Sequence, residues 1–184
     1  MNKIFASAQD AVKDIPDGAT AYKCAPPIRE RDNRERLWAA LRDGDLDLVA
    51  SDHSPCTPRL KQGDFIAAWG GISGVQLGLS VVWTEARARG FTVADVARWM
   101  CAAPARLAGL SGRKGSIAVG HDADLVVWRP EDTFVVDAER LQHRHPVTPY
   151  AGATLHGVVL QTYVRGVLVH ERGSVAPTPM GAFV

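Results

Sequence analysis

The feature of this sequence that most constrains its fold is a change in hydrophobic pattern near residue 112. Residues 1–111 alternate short apolar runs with stretches in which apolar residues recur at helical spacing. Residues 112–184 are rich in Val, Thr and Gly, which is typical of short strands joined by turns. We therefore expect two domains, with residues 1–111 forming an α/β domain and residues 112–184 forming a β-sandwich-like module with an extended tail.

A strand, a helix and a second strand are predicted in that order in the first domain. The first strand covers residues 19–24, and the helix has Asp32 as a candidate N-cap and Gly44 as its end. Residues 46–51 (LDLVAS) are a second apolar run of strand type. This order favours a βαβ unit with parallel strands, and in such folds the active site gathers at the C-terminal ends of the strands.

Capping and glycine signals predict three further helices. The loop at residues 70–74 (GGISG) opens a helix that Gly90 closes, with four residues at helical spacing: Val75, Leu79, Val82 and Trp83. Thr92 and Asp95 match a capping box, and their helix places three residues inward: Val96, Trp99 and Met100. A short helix is expected to start at Pro104. In the second domain the predicted strands are residues 125–128, 133–136, 157–164 and 167–170, with a hairpin turn at Arg165-Gly166.

Asp52 and His53 are the sharpest candidates for chemistry, because they directly follow the apolar run at residues 46–51. A carboxylate at the end of a barrel strand can bind a divalent metal and transfer a proton. The alternative is that Asp52 caps the following turn and that His53 is a hydrogen-bonded loop histidine. The position of the pair at a strand end favours the functional interpretation.

Other histidines and glycines give weaker signals. Two histidines at i and i+2 on a strand, such as His143 and His145, can chelate zinc. This pair follows a helical turn and precedes Pro146, so we favour a structural or surface role. The glycines at 70 and 71 could bring backbone groups close to a ligand or simply open the helix. The remaining histidines considered, for which we favour structural roles, are His121, His156 and His170.

Charge and cysteine content exclude several classes of function. The chain has 21 basic and 20 acidic residues and no basic block, so we expect no nucleic-acid partner. No apolar run approaches the roughly 20 residues that span a membrane, and we expect neither a membrane nor a signal peptide. The 3 cysteines are widely spaced and include no Cys-x-x-Cys pair, which favours a reduced, cytoplasmic protein without a zinc ribbon.

Three sequence blocks, in the same order and at similar spacing, resemble those of allantoinases, which are cyclic amidohydrolases. They are residues 23–29 (KCAPPIR), 51–56 (SDHSPC) and 68–74 (AWGGISG). Residues 115–124 also resemble the segment in which amidohydrolases return from the barrel to their β-sandwich, and the surroundings of Tyr150 are similar too. The resemblance covers roughly residues 14 to 184.

The resemblance implies an α/β fold: the C-terminal part of an amidohydrolase (β/α)8 barrel followed by strands of a small β-sandwich domain. It implies a hydrolase of purine catabolism that opens the hydantoin ring of allantoin to give allantoate. A segment of such an enzyme exposes strand edges and part of a core, which favours self-association, so we expect a homo-oligomer. The cofactor that the resemblance implies is a divalent metal, with zinc as the expected ion and two ions per site in the complete enzyme. A bridging hydroxide would attack the ring carbonyl, because metals lower the pKa of bound water to about 7.

The same resemblance assigns roles to three residues. Asp52 matches a strand-end aspartate that binds one metal, takes the proton of the hydroxide and returns it to the leaving nitrogen. Ala25 and Gly70 match positions whose backbone groups contact the substrate ring. The segment from His143 to His145 matches a stretch outside the metal site.

The departures from the family pattern are as informative as the matches. The family's His-x-His pair, its metal-bridging lysine and two further histidines precede the matched region, and residues 1–13 contain no histidine. Only Asp52 remains of the ligands, and one carboxylate cannot hold two metals. Ala103 stands where the family often has Asn before Pro-Ala, which removes a helix cap.

Three hypotheses follow. The first is an allantoinase segment that is inactive alone and needs the missing part of the enzyme, so that this chain by itself binds no metal. The second is a non-catalytic binding or assembly module that keeps the amidohydrolase fold. The third is a mononuclear metal site built from Asp52, His53 and one of His143 or His145, which requires those side chains to converge on one ion.

Overall fold

The computed structural model of the chain describes residues 31–63 and 66–183. The predicted strand at residues 19–24 and the candidate residue Ala25 lie outside these ranges. The described residues divide into two compact units. The smaller unit contains residues 31–34, 51–76 and 137–152, and the larger unit contains residues 35–50, 77–136 and 153–183. Within the described ranges no helix is both long enough and apolar enough to cross a bilayer.

In the described ranges, four α-helices occur where the sequence predicts helices. They are α1 (Arg31–Asp43), α2 (Gly78–Arg87), α3 (Val93–Ala97) and α4 (Ala103–Leu107). A π-helical turn, Arg98–Ala102, joins α3 to α4, and short 3-10 turns cover Pro58–Lys61, Val75–Leu77 and Ala138–Arg140. Gly44 and Gly90, the predicted ends of α1 and α2, have φ angles of 85° and 77°. Glycine adopts this left-handed conformation without the steric penalty that other residues meet, which is why the helices end there.

The core of the larger unit is aromatic. Its buried members come from α1, α2, α3 and the π-helical turn, and they are Leu41, Trp83, Ala86, Val96 and Trp99. Trp99 is only 1% exposed, and its ring meets that of Phe91 edge-on at a centroid separation of 4.9 Å. This edge-to-face arrangement places the positive ring edge against the negative face of its neighbour. Of the three residues predicted to face inward, Val96 and Trp99 belong to this core, and Met100 is partly buried and packs against it.

One antiparallel sheet covers the described part of the second predicted domain. Its strands are β1 (Leu125–Val135), β2 (Thr154–Val164), β3 (Val167–Glu171) and β4 (Ser174–Val175), in the order β1-β2-β3-β4. The two strands predicted at residues 125–128 and 133–136 are a single strand whose pairing with β2 shifts register twice. Arg165 and Gly166 join β2 to β3 with φ angles of 48° and 79°, as the predicted hairpin turn requires.

The predicted strand at residues 46–51 is not formed. These residues belong to no helix or strand, and Val49 donates its backbone N–H to the carbonyl of Trp99 at 3.1 Å. A strand needs a neighbouring strand to satisfy its backbone groups, and the described residues offer no parallel partner here. The second strand of the predicted βαβ unit is therefore not formed among the described residues, and its first strand, at residues 19–24, lies outside them.

The predicted capping box at the start of α3 is confirmed. The hydroxyl of Thr92 accepts the N–H of Asp95 at 3.2 Å, and the carboxylate of Asp95 accepts the N–H of Thr92 at 2.9 Å. The backbone bond from Thr92, followed by the bond from its hydroxyl, lowers the pKa of the Asp95 carboxyl. Because the folded pKa lies below the unfolded one, this carboxylate stabilises the fold at neutral pH, and its contribution is lost as the pH falls through acidic values.

Thr92→Ala is expected to lower the free energy of unfolding by about 1 kcal/mol, because it removes the side-chain acceptor for a helix N-terminal N–H. Equilibrium denaturation in urea measures this change as a shift of the transition midpoint, and the dependence of the free energy of unfolding on urea concentration should stay the same. Thr133→Ala, an exposed threonine on β1, is the matched control and should change the midpoint less. Equal losses from both variants would contradict the capping contribution.

Candidate functional site

Asp52 lies in the smaller unit, in a segment that belongs to no helix or strand. It is exposed, and its Oδ1 atom accepts a hydrogen bond from the hydroxyl of Ser54 at 3.0 Å. This bond occupies one oxygen and leaves the carboxylate accessible to a ligand. The orientation of the Asp52 side chain is thus fixed by Ser54, two residues further along the chain. Such local hydrogen bonds between a hydroxyl and a carboxylate are common in turns.

The glycine-rich loop, residues 69–74, packs against the segment that carries Asp52. The backbone N–H of Ser54 donates to the carbonyl of Ile72 at 2.9 Å. Gly71 has a φ angle of 130°, and a Cβ atom placed on it would lie 2.5 Å from the Cβ atom of Ser54. A Cβ atom on Gly74 would lie 3.0 Å from the carbonyl oxygen of Asp52. Glycine is therefore needed in this loop for the close approach of two backbones.

Lys61 fastens the glycine-rich loop from its buried side. It ends the 3-10 turn Pro58–Lys61 and is only 2% exposed. Its Nζ atom donates to the carbonyl of Trp69 at 2.8 Å and also to the carbonyl of Gly71. These two carbonyls stand on either side of Gly70. Lys61 was not predicted as part of the site, because a lysine after a proline-rich stretch is typical of an exposed turn and nothing in the local sequence signals its burial.

His53 and His143 are neighbours, with ring centroids 5.9 Å apart. The Nδ1 atom of His53 accepts the backbone N–H of Gly74 at 3.3 Å and that of Val75 at 3.4 Å. Because Nδ1 accepts, the ring proton of His53 is carried by Nε2. His53 therefore connects the segment that carries Asp52 to the end of the glycine-rich loop. This contact matches the alternative in which His53 is a hydrogen-bonded loop histidine.

The segment around His143 and His145 forms neither helix nor strand, in agreement with the sequence analysis. Both ring nitrogens of His143 are buried and have no hydrogen-bond partner among the described residues. Burial lowers the pKa of the His143 imidazole, a contact with the backbone of His145 opposes this shift, and the charges of His53 and His145 add to it. The hydroxyl of Ser73 donates to the carbonyl of Val147 at 3.0 Å, so the glycine-rich loop is fastened to this segment as well.

A metal ion in a protein needs several His, Cys, Asp or Glu side chains that converge on one point. Within residues 31–63 and 66–183 no group of three or more His, Cys, Asp or Glu side chains is placed to hold one. Asp52 is one carboxylate, His53 uses Nδ1 for backbone contacts, and His143 faces His53. The described residues by themselves do not fit a metal centre, and the mononuclear site predicted from Asp52, His53 and His143 or His145 is not assembled by them.

The other histidines have structural contacts in the larger unit. The ring of His156 lies against the guanidinium of Arg87, and its backbone N–H donates to the hydroxyl of Thr84 at 2.8 Å. His170 accepts the N–H of Gly173 at 3.0 Å, and His121 pairs with the hydroxyl of Ser116 at 3.2 Å. These contacts agree with the structural roles expected for the three histidines.

Sequence comparison places these features in a family. The family described as Amidohydrolase family matches residues 17–169. An allantoinase from Streptomyces avermitilis is 56% identical over 161 residues, which is 88% of this chain and 36% of that protein. Allantoinases from Arabidopsis thaliana and Saccharomyces cerevisiae are 45% and 44% identical over 94% and 93% of this chain, and 35% and 37% of their own lengths. The chain spans about a third of the length of these relatives.

Structural comparison finds hydantoinases. An L-hydantoinase from Arthrobacter aurescens superimposes with a TM-score of 0.79 at 32% identity, covering 84% of this chain and 35% of that one. A D-hydantoinase from a Bacillus species gives a TM-score of 0.79 at 32% identity, covering 90% of this chain and 38% of that one. The described fold is thus shared with about a third of each of these larger chains.

Proposed function

This chain belongs to the amidohydrolase family, and we propose that it forms part of an allantoinase, which hydrolyses the hydantoin ring of allantoin to allantoate. The observation that carries the proposal is the 56% identity to an allantoinase over 161 residues, which include Asp52 and the glycine-rich loop. The hydantoinases of similar fold reach only 32% identity, which favours allantoin over a simple hydantoin as the substrate class.

The proposed role of Asp52 is proton transfer. Its carboxylate would take a proton from the attacking water and return it to the ring nitrogen as the amide C–N bond breaks. Two features support this role: the carboxylate is exposed, and the bond from Ser54 to Oδ1 fixes its orientation. The same carboxylate is the proposed metal ligand of this chain.

The proposed substrate contacts are the backbone groups of Gly70 and Ala25. Gly70 is supported by its position in a loop that packs against the segment of Asp52. Ala25 lies outside the described residues, so its support is the sequence block that contains it. Backbone groups suit a ring substrate, because amide carbonyl and N–H groups of a cyclic ureide pair with peptide groups of complementary polarity.

A divalent metal, with zinc as the proposed ion and two ions per complete site, would supply Lewis-acid activation of the ring carbonyl and of water. Since the described residues do not assemble a metal site, the remaining ligands would come from a part of the enzyme outside them. The boundary at residues 111 and 112 between barrel and β-sandwich domains stays a proposal as well.

Two further features of the complete enzyme are proposed. Large apolar side chains of the larger unit are strongly exposed, and the strongest examples are Leu107, Ile117, Val119 and Phe183. Exposed apolar surface of this kind favours a protein partner, which we propose to be the rest of the enzyme within a homo-oligomer. The free thiols of Cys56 and Cys101 support a reducing compartment such as the cytoplasm.

The test is allantoate formation by the purified 184-residue chain, alone and together with the part of the Streptomyces allantoinase that lies outside the matched region. Each mixture is assayed with and without zinc, cobalt or manganese. We expect no activity from the chain alone and metal-dependent activity from the mixture, because only the mixture contains a full ligand set. Activity of the chain alone would show that the ligand assignment is wrong. Inactivity of every mixture would support the non-catalytic module instead.

A further inference from the structure

We propose that Lys61 is a positioning residue that sets the backbone orientation of Gly70 for ligand contact. The proposal rests on the proposed function for the identity of the ligand, and on the geometry of the smaller unit for the positioning itself. Lys61 belongs to no sequence block of the resemblance. Its side chain reaches the loop from the side opposite to solvent, being 2% exposed.

The first step is the placement of the two carbonyls. Nζ of Lys61 donates to the carbonyl of Trp69 at 2.8 Å and to the carbonyl of Gly71. In a trans peptide the C=O and the following N–H point in opposite directions. Since the carbonyl of Trp69 points at Lys61, the N–H of Gly70 points away from the buried ammonium. One side chain thus fixes the peptide group that precedes Gly70 and the peptide group that follows Gly71.

The hydrogen bonds from Lys61 also reduce the flexibility of the glycine-rich loop. Gly70 and Gly71 are adjacent glycines, and glycine loses more conformational freedom on ordering than any other residue. A ligand that contacted an unfixed loop would have to order it on binding, which weakens affinity. The backbone N–H of Trp69 also donates to the carbonyl of Leu60 at 2.9 Å, so the 3-10 turn holds the loop at two adjacent points.

The strength of these hydrogen bonds depends on the buried positive charge of Lys61. An ammonium taken out of water needs hydrogen-bond acceptors, and the carbonyls of the loop provide two. Hydrogen bonds from a charged donor are stronger than those between neutral groups. Lys61 therefore restrains the loop more strongly than a side-chain hydroxyl would. A methionine in its place has a similar length but no donor, so both carbonyls would lose this partner.

The experiment compares Lys61→Met with Arg59→Met, which removes one positive charge from an exposed position of the same 3-10 turn. Hydrogen exchange of the 184-residue chain is followed at the amides of residues 69–72. We expect exchange there to be about tenfold faster in Lys61→Met and unchanged in Arg59→Met, because the charged bonds hold the loop closed. Unchanged exchange in Lys61→Met overturns the proposal.

The kinetic readout uses the assembled enzyme. Lys61→Met is expected to raise KM for allantoin about tenfold while kcat changes less than about threefold, since a displaced loop weakens substrate binding. Lys61→Arg keeps the charge and should recover part of the loss. A fall in kcat at unchanged KM would indicate only a loss of folded enzyme and overturns the proposal. If the unmodified assembly does not hydrolyse allantoin, the proposed function fails, and the exchange result still decides whether Lys61 positions the loop.

Discussion

Replacement of Asp52 by Asn is expected to lower kcat/KM for allantoin by about 10²–10⁴-fold in the assembled enzyme, because a positioned general acid–base contributes a factor of that size. An amide has nearly the shape of the carboxylate, and its oxygen can still accept the hydrogen bond that Ser54 donates at 3.0 Å. The amide cannot take up a proton at neutral pH. The loss should therefore fall on the chemical step, with little change in folding.

The control for this prediction is Asp45→Asn, which changes an exposed aspartate in the turn after α1. Both variants lose one negative charge, so a general effect of net charge would lower both activities equally. We expect kcat/KM of Asp45→Asn to stay within about twofold of the unmodified value, as is usual for the substitution of an exposed surface side chain. Metal content measured in both proteins separates loss of a ligand from loss of proton transfer. An active Asp52→Asn enzyme would contradict the assigned role.

Local signals in the sequence were sufficient to predict most helices and strands. The capping box of Thr92 and Asp95, the glycine ends of α1 and α2, and the hairpin turn at Arg165-Gly166 are each formed as expected. These features depend on hydrogen bonds or φ angles within a few residues, so the local sequence determines them. The strand predicted at residues 46–51 is not formed. A parallel strand depends on neighbouring strands that are distant in sequence, and these are absent from the described residues.

The candidate site was predictable only in part for the same reason. Asp52 and Gly70 were predicted from the order of sequence blocks, and the loop that contains Gly70 does pack against the segment of Asp52. The fastening of that loop by Lys61 depends on a reach across eight residues into a buried position. A lysine is exposed in most sequence contexts, so its burial follows from tertiary structure and has no local signature.

The packing of the glycine-rich loop leads to the last prediction, which concerns Gly71→Ala. A Cβ atom there would lie 2.5 Å from the Cβ atom of Ser54, at a φ angle of 130° that L residues rarely adopt. Backbone strain of about 1–3 kcal/mol and overpacking of about 1–3 kcal/mol together predict a loss of about 2–6 kcal/mol in local stability. Native-state hydrogen exchange of residues 51–76 measures this loss.

A matched glycine separates the two causes of that loss. Gly63 also has a positive φ, 89°, but no described heavy atom lies within 4 Å of the position of a Cβ atom built on it. Gly63→Ala therefore carries backbone strain without the clash, and its loss should be smaller by about 1–3 kcal/mol. Because the clash pushes Ser54 away from Ile72, Gly71→Ala should also lower kcat/KM of the assembled enzyme at least about tenfold, whereas Gly63→Ala should not. Equal stability losses in the two variants would show that φ strain alone dictates glycine at position 71, and that the two backbones do not need to approach so closely for the site to form.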